Sequence, residues 1–425
     1  MDERKFRTRE RTRDPLAFFL DLARQHGDVV RYRSAPEPAY LINHPDHVRH
    51  VLVENNRNYV KDTYINSMFK SYVGDGLLTS EGEVWQKQRR LMQPAFHHKR
   101  LESLDSAITA RTAEMLARWE TACRRGEPVL IAQEMAALTL SIVTEILFGV
   151  DLGDDVRLIE EAVDMGGALL ERPKNPRFRE ALTMMMEIVE RIIADRRAGG
   201  KDHDDLLSTL LQVRDEDTGE GMSDELLRHQ VVTLLLAGYE TTASALTWTW
   251  YLLAQHPEIV DVLEAETRRV LNGRVPCSED LDALGYALMV FEESMRLYPP
   301  AWIIGRRALN ADRFGETHIL PGTVIAISPY TLHRHPEFWD QPEVFDPLRF
   351  SAERSAGRHR FAYIPFGGGP RQCIGNTLSL IEARLILSMV AQRFRLELIE
   401  DHPIRPEVLF VLRPDRLMKM RLTPL

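Results

Sequence analysis

Between about residues 85 and 298, apolar side chains recur three and four positions apart, which is the spacing of amphipathic helices. The runs RLESLDSAITARTAEMLARWETA, LTLSIVTEILFGV and LTMMMEIVERIIADRR carry that pattern, and each predicts a helix. Toward both ends of the chain the period shortens. DVVRYRS and AYLIN, separated by APEP, predict a hairpin near the N-terminus. After Pro300 come AWIIGRRA and ETHILPGTVIAIS, the latter with a Pro321-Gly322 turn signal, and EVLFVLRPDRLMKMRL closes the chain with further strand signals. The expected fold class is mainly α, with small β sheets along one side.

Composition adjusts this picture only slightly. A chain of 425 residues, 44% hydrophobic and 28% charged, is long enough to bury a sizeable core. It shows no repeat, low-complexity block or Pro-rich linker, so a single domain over 15–425 is expected after a charged arm, 1–14. That arm, MDERKFRTRERTRD, lacks the apolar centre of a signal peptide. The segments around 197–205 and 215–225 read as surface loops between helices.

The most apolar long stretch, VVTLLLAGYETTASALTWTWYLLA (231–254), holds Glu240, Thr241 and Thr242 at its middle. A carboxylate there is costly in a bilayer, so a buried core helix is expected and no transmembrane anchor. Cys123, Cys277 and Cys373 are widely separated and form no CxxC pair, which suggests neither a disulfide framework nor a zinc site and points to the cytoplasm. A net charge of −9 argues against a nucleic-acid partner.

The candidate chemistry lies in FGGGPRQCIG, 366–375. A thiol becomes a good metal ligand as thiolate, and its pKa falls at a helix N-terminus or beside cations. Cys373 has Arg371 two residues before it and a helix-like run after it, with Leu378, Ile381, Ile386 and Met389 among its apolar positions. Gly367, Gly368, Gly369 and Gly375 leave backbone bare for close approach of a flat cofactor. On this stretch alone, a glycine-rich turn around a structural cysteine stays open as the alternative. A phosphate loop would need lysine followed by Ser or Thr, and none is present.

Phe366, Gly369, Arg371, Cys373 and Gly375 resemble, position by position, the haem-binding signature of the cytochrome P450 family. AGYETT, from Ala237 to Thr242, resembles that family's oxygen-activation motif, with Glu240 and Thr241 as acid and alcohol and Ala237 beside the cofactor. A helical Thr241 is free to bond back to the Ala237 carbonyl, and Gly238 is expected to let the helix open locally. In FEESMRLYPP, Glu293 and Arg296 share a helical face, ordinarily as an exposed pair. Their resemblance to the family's Glu-x-x-Arg element, with Arg349 as third member, implies a buried structural triad instead. Trp85 and Arg89 resemble the pair that binds a haem propionate, and Arg306 sits where relatives carry another propionate arginine, although adjacent Arg307 is able to substitute. His97 and His98 are read as surface residues.

The resemblance spans nearly the whole chain and implies a triangular helical prism, haem b held through Cys373 as axial iron ligand, and a monooxygenase reaction with O₂. Electrons would come from a ferredoxin or flavodoxin-like donor with its reductase. Lys87, Arg89, Arg90, Lys99, Arg100, Arg358 and Arg360 would steer it, against the alternative of scattered solvated charge. Substrate contacts are implied for Tyr64, Phe69, Val73, Leu77, Ala301, Trp302, Ile303, Leu409 and Phe410. Most are apolar, favouring a lipophilic substrate: a terpenoid, fatty acid or steroid-like skeleton. A peroxide-driven peroxygenase and a haem-binding sensor are the alternatives. Glu240 and Thr241 count against the first, and no output segment is visible for the second.

Overall fold

The computed structural model describes residues 14–34, 37–96, 104–153, 155–168, 175–199, 205–214, 219, 221–399 and 403–425. They divide into two compact units, one built from the chain up to Ser67 together with Glu292–Cys373, the other from Met68–Phe291 together with Ile374–Leu425.

The first unit is organised by a five-stranded sheet in the order Val29–Ser34, Glu37–Ile42, Val324–Ile327, Ile304–Ala308, Tyr59–Val60. The expected hairpin forms, with Val29 opposite Ile42. Glu37–Ile42 then pairs in parallel with Val324–Ile327, Tyr40 opposite Ile325, and the remaining pairings are antiparallel. Because strand side chains alternate faces, both faces are apolar. Leu41 and Ala326 point into a cluster with Phe18, Phe19 and Leu22, while Ile42, Ile325 and Ile327 join Val51, Leu52 and Ile364 on the other side. The first cluster is covered by helix Pro15–His26, which starts with proline at its first position and the Asp14 carboxylate accepting the Ala17 N–H at 3.0 Å.

The second unit is helical around one long element, Asp224–Gln255, 32 residues and so about 48 Å long. Ser223 caps it through the Leu226 N–H, and Asp224 and Glu225 complement the dipole in its first turn. From Leu227 to Leu253 most side chains are buried on every face, the pattern of a core helix. The stretch singled out in the sequence as the most apolar is thus interior to the protein. Among the described residues, the helix long and apolar enough to cross a membrane is instead Ile131–Phe148, with 61% of its length buried within the protein. These two helices pack together, and Thr139 donates to the Tyr239 carbonyl between them at 3.1 Å. A three-stranded sheet (Val129–Leu130, Lys419–Pro424, Phe394–Leu398) and the hairpin Pro406–Val408/Leu412–Pro414 complete the unit.

Candidate functional site

In the first unit the loop that presents Cys373 is closed by its own backbone. The Cys373 N–H donates to the Phe366 carbonyl at 3.0 Å, and Gln372 N–H to Gly369 at 3.1 Å. Of the three cysteines Cys373 is the exposed one, with Cys123 and Cys277 partly buried. Gly369 has φ +67°, and a Cβ there would fall 1.8 Å from the Leu52 carbonyl oxygen, so no other residue fits. At two of the glycines the protein itself supplies a further reason for the missing side chain. The Leu52 backbone crowds Gly369 and the Phe361 ring crowds Gly368, the latter 2.9 Å from a Gly368 Cβ. Helix Asn376–Ala391 begins three residues after Cys373.

The strand of chain entering this loop is anchored at successive residues. Trp339 Nε1 donates to Ala362 C=O at 3.3 Å, the Tyr363 hydroxyl to Glu292 C=O at 2.8 Å, and the Ile364 N–H to His333 Nε2 at 2.9 Å. His333 is fully enclosed, and burial together with the Arg296 and Arg334 charges pushes its pKa down to about 3, keeping it a neutral acceptor. Sequence reasoning missed it, since nothing in LHRHPEFW separates this imidazole from its neighbours.

Glu293 and Arg296 are fully buried, so the ordinary exposed-pair reading does not apply. Arg296 uses all five N–H groups: Nε and Nη2 on Glu293 at 2.6 and 2.8 Å, Nη1 on the carbonyls of His333 and Pro342, and Nη2 on Val344. Glu293 also accepts the Asp346 N–H at 2.9 Å and lies 3.3 Å from Arg349 Nε. A buried ion pair is tolerable only when hydrogen-bonded this completely. Arg358, assigned to a surface patch from sequence, is half-buried beside this network. It stacks 4.3 Å over the Trp339 ring and donates to the Arg349 carbonyl.

In the second unit the middle of the long helix carries a short strip of exposed positions. Ala237 is exposed and Gly238, Glu240 and Thr241 are partly so, among otherwise buried neighbours. Ala237 and Thr241 are four apart and share a face. The Thr241 hydroxyl donates to Ala237 C=O at 2.8 Å. That bond is not distinctive by itself, because Thr247 and Thr249 bond back the same way; exposure is what sets Thr241 apart. The helix stays continuous through Gly238, contrary to the local opening expected. A Cβ at that position would meet Val143 at 3.0 Å, so the glycine serves close packing of the two apolar helices.

Glu240 has a buried Oε2 without a hydrogen-bond partner. Burial pushes its pKa up from 4.5 to about 8, opposed by the Arg413 charge and reinforced by Asp164. A folded-state pKa above the unfolded one adds stability that is complete below pH 4.5 and lost as pH rises through about 8. Glu240→Gln should therefore gain stability relative to the unsubstituted protein as pH increases across that window, measured as the difference in urea midpoints; a pH-independent difference would rule out the raised pKa.

Trp85 and Arg89 share a face of helix Gly82–Met92, both partly exposed. Strand alternation separates the two candidate arginines: Arg306 is buried, while Arg307 is held outside by the carbonyls of Asp62 and Gly322. Phe69 meets Phe410 edge to face at 4.6 Å, with Leu409 partly buried beside it. Tyr64 and Ala301 are exposed, Val73 and Leu77 buried. Trp302 and Ile303 pack onto the Phe18/Phe19 cluster. His97, His98, Lys99 and Arg100 lie outside the described residues.

Residues 6–420 match the family model described as Cytochrome P450. The chain is a cytochrome P450. It is 39% identical over 414 residues to cyclooctatin synthase of Streptomyces melanosporofaciens, covering 93% of this chain and 88% of that one. Cyclooctat-9-en-7-ol 5-monooxygenase from the same organism is 38% identical, with coverages of 90% and 85%. Pentalenene oxygenase of Streptomyces avermitilis is 33% identical, at 97% and 93%. In structure the chain is similar to the cytochrome P450DA heme domain, with TM-score 0.86 and 28% identity over 96% of this chain and 92% of that one.

This cytochrome P450 is accordingly a haem-dependent monooxygenase that acts with O₂ on a lipophilic substrate and draws electrons from a redox partner. Its residues fit the cofactor. Within the first unit an exposed thiol, a donor suited to iron, stands on a backbone-closed loop.

Proposed function

We propose that Cys373 would hold the iron of haem b through its sulfur, with Phe366, Gly369, Arg371 and Gly375 completing the loop around it. Trp85, Arg89 and Arg306 would bind the haem propionates, and Ala237 would contribute to the cofactor site. The exposure of Cys373 in an otherwise closed loop is the observation that carries this reading. When bound, the haem supplies dioxygen binding and activation, and a thiolate ligand favours O–O cleavage. Thr241 holds a hydroxyl proton at Oγ1 in the exposed strip. Glu240 remains protonated at neutral pH, so it is a proton donor within the same turn of helix. Glu293, Arg296 and Arg349 touch no reactant; they hold the scaffold of the loop.

The substrate is a terpenoid. Support comes from the relatives whose names carry an unsaturated hydrocarbon or alcohol, pentalenene and cyclooctat-9-en-7-ol, and from the apolar contact of Phe69 with Phe410. Leu409 and Ala301 are further candidate contacts. Exposed Lys87, Arg90 and Arg360 suit an acidic ferredoxin or flavodoxin-like donor. Residues 15–425 act as one haem domain, in keeping with a family match that runs through both units, and the cytoplasm is its setting.

The test is a panel of cyclic terpene hydrocarbons and alcohols set against fatty acids and steroids. Terpenoids should shift the ferric Soret band and be oxidised. Thr241→Ala should show the same shift but yield less product per NAD(P)H, the balance appearing as peroxide. Shifts with fatty acids or steroids alone would remove the terpenoid assignment, and unchanged coupling would remove Thr241 from proton delivery.

A further inference from the structure

The floor beneath the cysteine loop is an unusual piece of backbone. Immediately after helix Pro45–Arg49, residues His50–Glu54 wind as a single π-helical turn, closed by the Asn55 N–H on the His50 carbonyl at 2.8 Å. Such turns are rare and persist where surrounding contacts hold them.

Here one carboxylate does so. Asp312 Oδ2 accepts from His50 Nε2 at 2.8 Å, from Asn55 Nδ2 at 3.0 Å and from the Tyr59 hydroxyl at 2.6 Å, while Oδ1 accepts the Arg313 N–H at 2.8 Å. His50 opens the turn and Asn55 comes directly after its last residue, so a single oxygen grips both ends. The Asp312 side chain is 13% exposed, which leaves little access for water to compete.

What the turn presents is the Leu52 carbonyl, the group whose oxygen would lie 1.8 Å from a Cβ on Gly369; a Cβ on Gly368 would lie 3.6 Å from Leu52 Cδ1. Leu52 and Ile364 are packed in one apolar cluster. Relaxing a π turn to α geometry removes one residue from the turn, rotating the downstream backbone by about 100° and sliding it about 1.5 Å. The Leu52 carbonyl cannot make that move and remain against Gly369.

We infer that Asp312 is a positioning residue for Cys373: by fixing both ends of the π turn it sets where the Leu52 carbonyl lies, and so fixes the height of the loop that carries the sulfur. The inference rests on the reading of Cys373 as haem ligand. The hydrogen bonds of Asp312 go to His50, Asn55, Tyr59 and Arg313 and not to the loop, so it acts through the turn.

The experiment uses purified haem-loaded protein and two readouts: the share of the reduced carbonyl complex in the thiolate-type band, and the rate of haem transfer to an excess of a scavenging apoprotein. Asp312→Ala and His50→Phe should each lose part of the thiolate-type band and release haem about tenfold faster, the lower end of what outer-shell partners of a metal ligand contribute. His50→Gln retains an N–H able to reach Asp312 and should stay near the unsubstituted values. Asn58→Ala is the control. The Asn58 side chain bonds Asn310 at 2.7 Å, while its hydrogen bond to Asn55 C=O comes from the backbone and survives truncation, so this variant should lower the unfolding midpoint and leave both readouts alone.

If Asp312→Ala yields no folded protein, the two His50 variants decide. Wild-type haem release and an intact thiolate-type band in His50→Phe, with only the unfolding midpoint reduced, would overturn the inference and leave the ligand reading standing. An unsubstituted protein lacking that band would overturn the ligand reading, and this inference with it.

Discussion

Cys373→Ala will take oxygenase turnover to background and remove the thiolate-type absorption of the reduced carbonyl complex, while leaving the fold intact. The combination reflects where the residue sits. Its side chain is exposed and lies in neither apolar cluster described for the first unit, so truncation should cost the haem-free chain less than about 0.5 kcal/mol of stability. The backbone bond from residue 373 to Phe366 does not depend on the side chain. Neither remaining cysteine is placed to substitute. Cys123 Sγ lies on the Leu422 carbonyl at 3.5 Å, and Cys277 Sγ on Asp280 at 3.4 Å. Circular dichroism and the carbonyl spectrum, taken on the same preparation, check both halves. A variant that keeps the thiolate-type band would show that the ligand is elsewhere.

The second large effect belongs to residues that perform no chemistry. Arg296→Leu should cost about 3–5 kcal/mol, the range for removing one partner of a buried ion pair, against a few tenths for an exposed pair at the same spacing. The burial of both groups decides between those figures. The substitution leaves the Glu293 carboxylate enclosed and frees three backbone carbonyls, those of His333, Pro342 and Val344. Arg296→Lys should recover only part of the loss, because an ammonium cannot reproduce the planar fork that engages five acceptors at once. Denaturant unfolding of the two variants tests this. A cost below about 1 kcal/mol for Arg296→Leu would mean that the network does not hold the unit together.

Much of this protein's architecture is legible in its residues alone. The helices declare themselves because each needs only its own periodicity, and the terminal hairpin and the Pro321-Gly322 turn are equally local. The cysteine loop is legible because few chemistries require that pattern. What stays hidden is whatever depends on a distant partner. No local signal pairs Glu37–Ile42 with Val324–Ile327. Spacing puts Glu293 and Arg296 on one face without saying whether that face is wet. Arg358 reads as surface charge until Trp339 is seen beneath it, and Gly238 reads as a weak point until Val143 is seen against it. The π turn leaves no trace in composition, since its cause is a carboxylate more than 250 residues away.

The parallel pairing at the centre of the first sheet also constrains how the chain is made. Ala39 sits opposite Val324, so the strand that must flank the N-terminal hairpin is synthesised 285 residues later. At translation rates of about 5–20 residues per second, that is a delay of roughly 15–60 s. Throughout it, Leu41 and Ile42 have no strand on their outer edge and an open ladder of amides to offer any passing chain. The outer edge of the first hairpin is therefore open to wrong pairing until the ribosome has delivered the far side of the sheet.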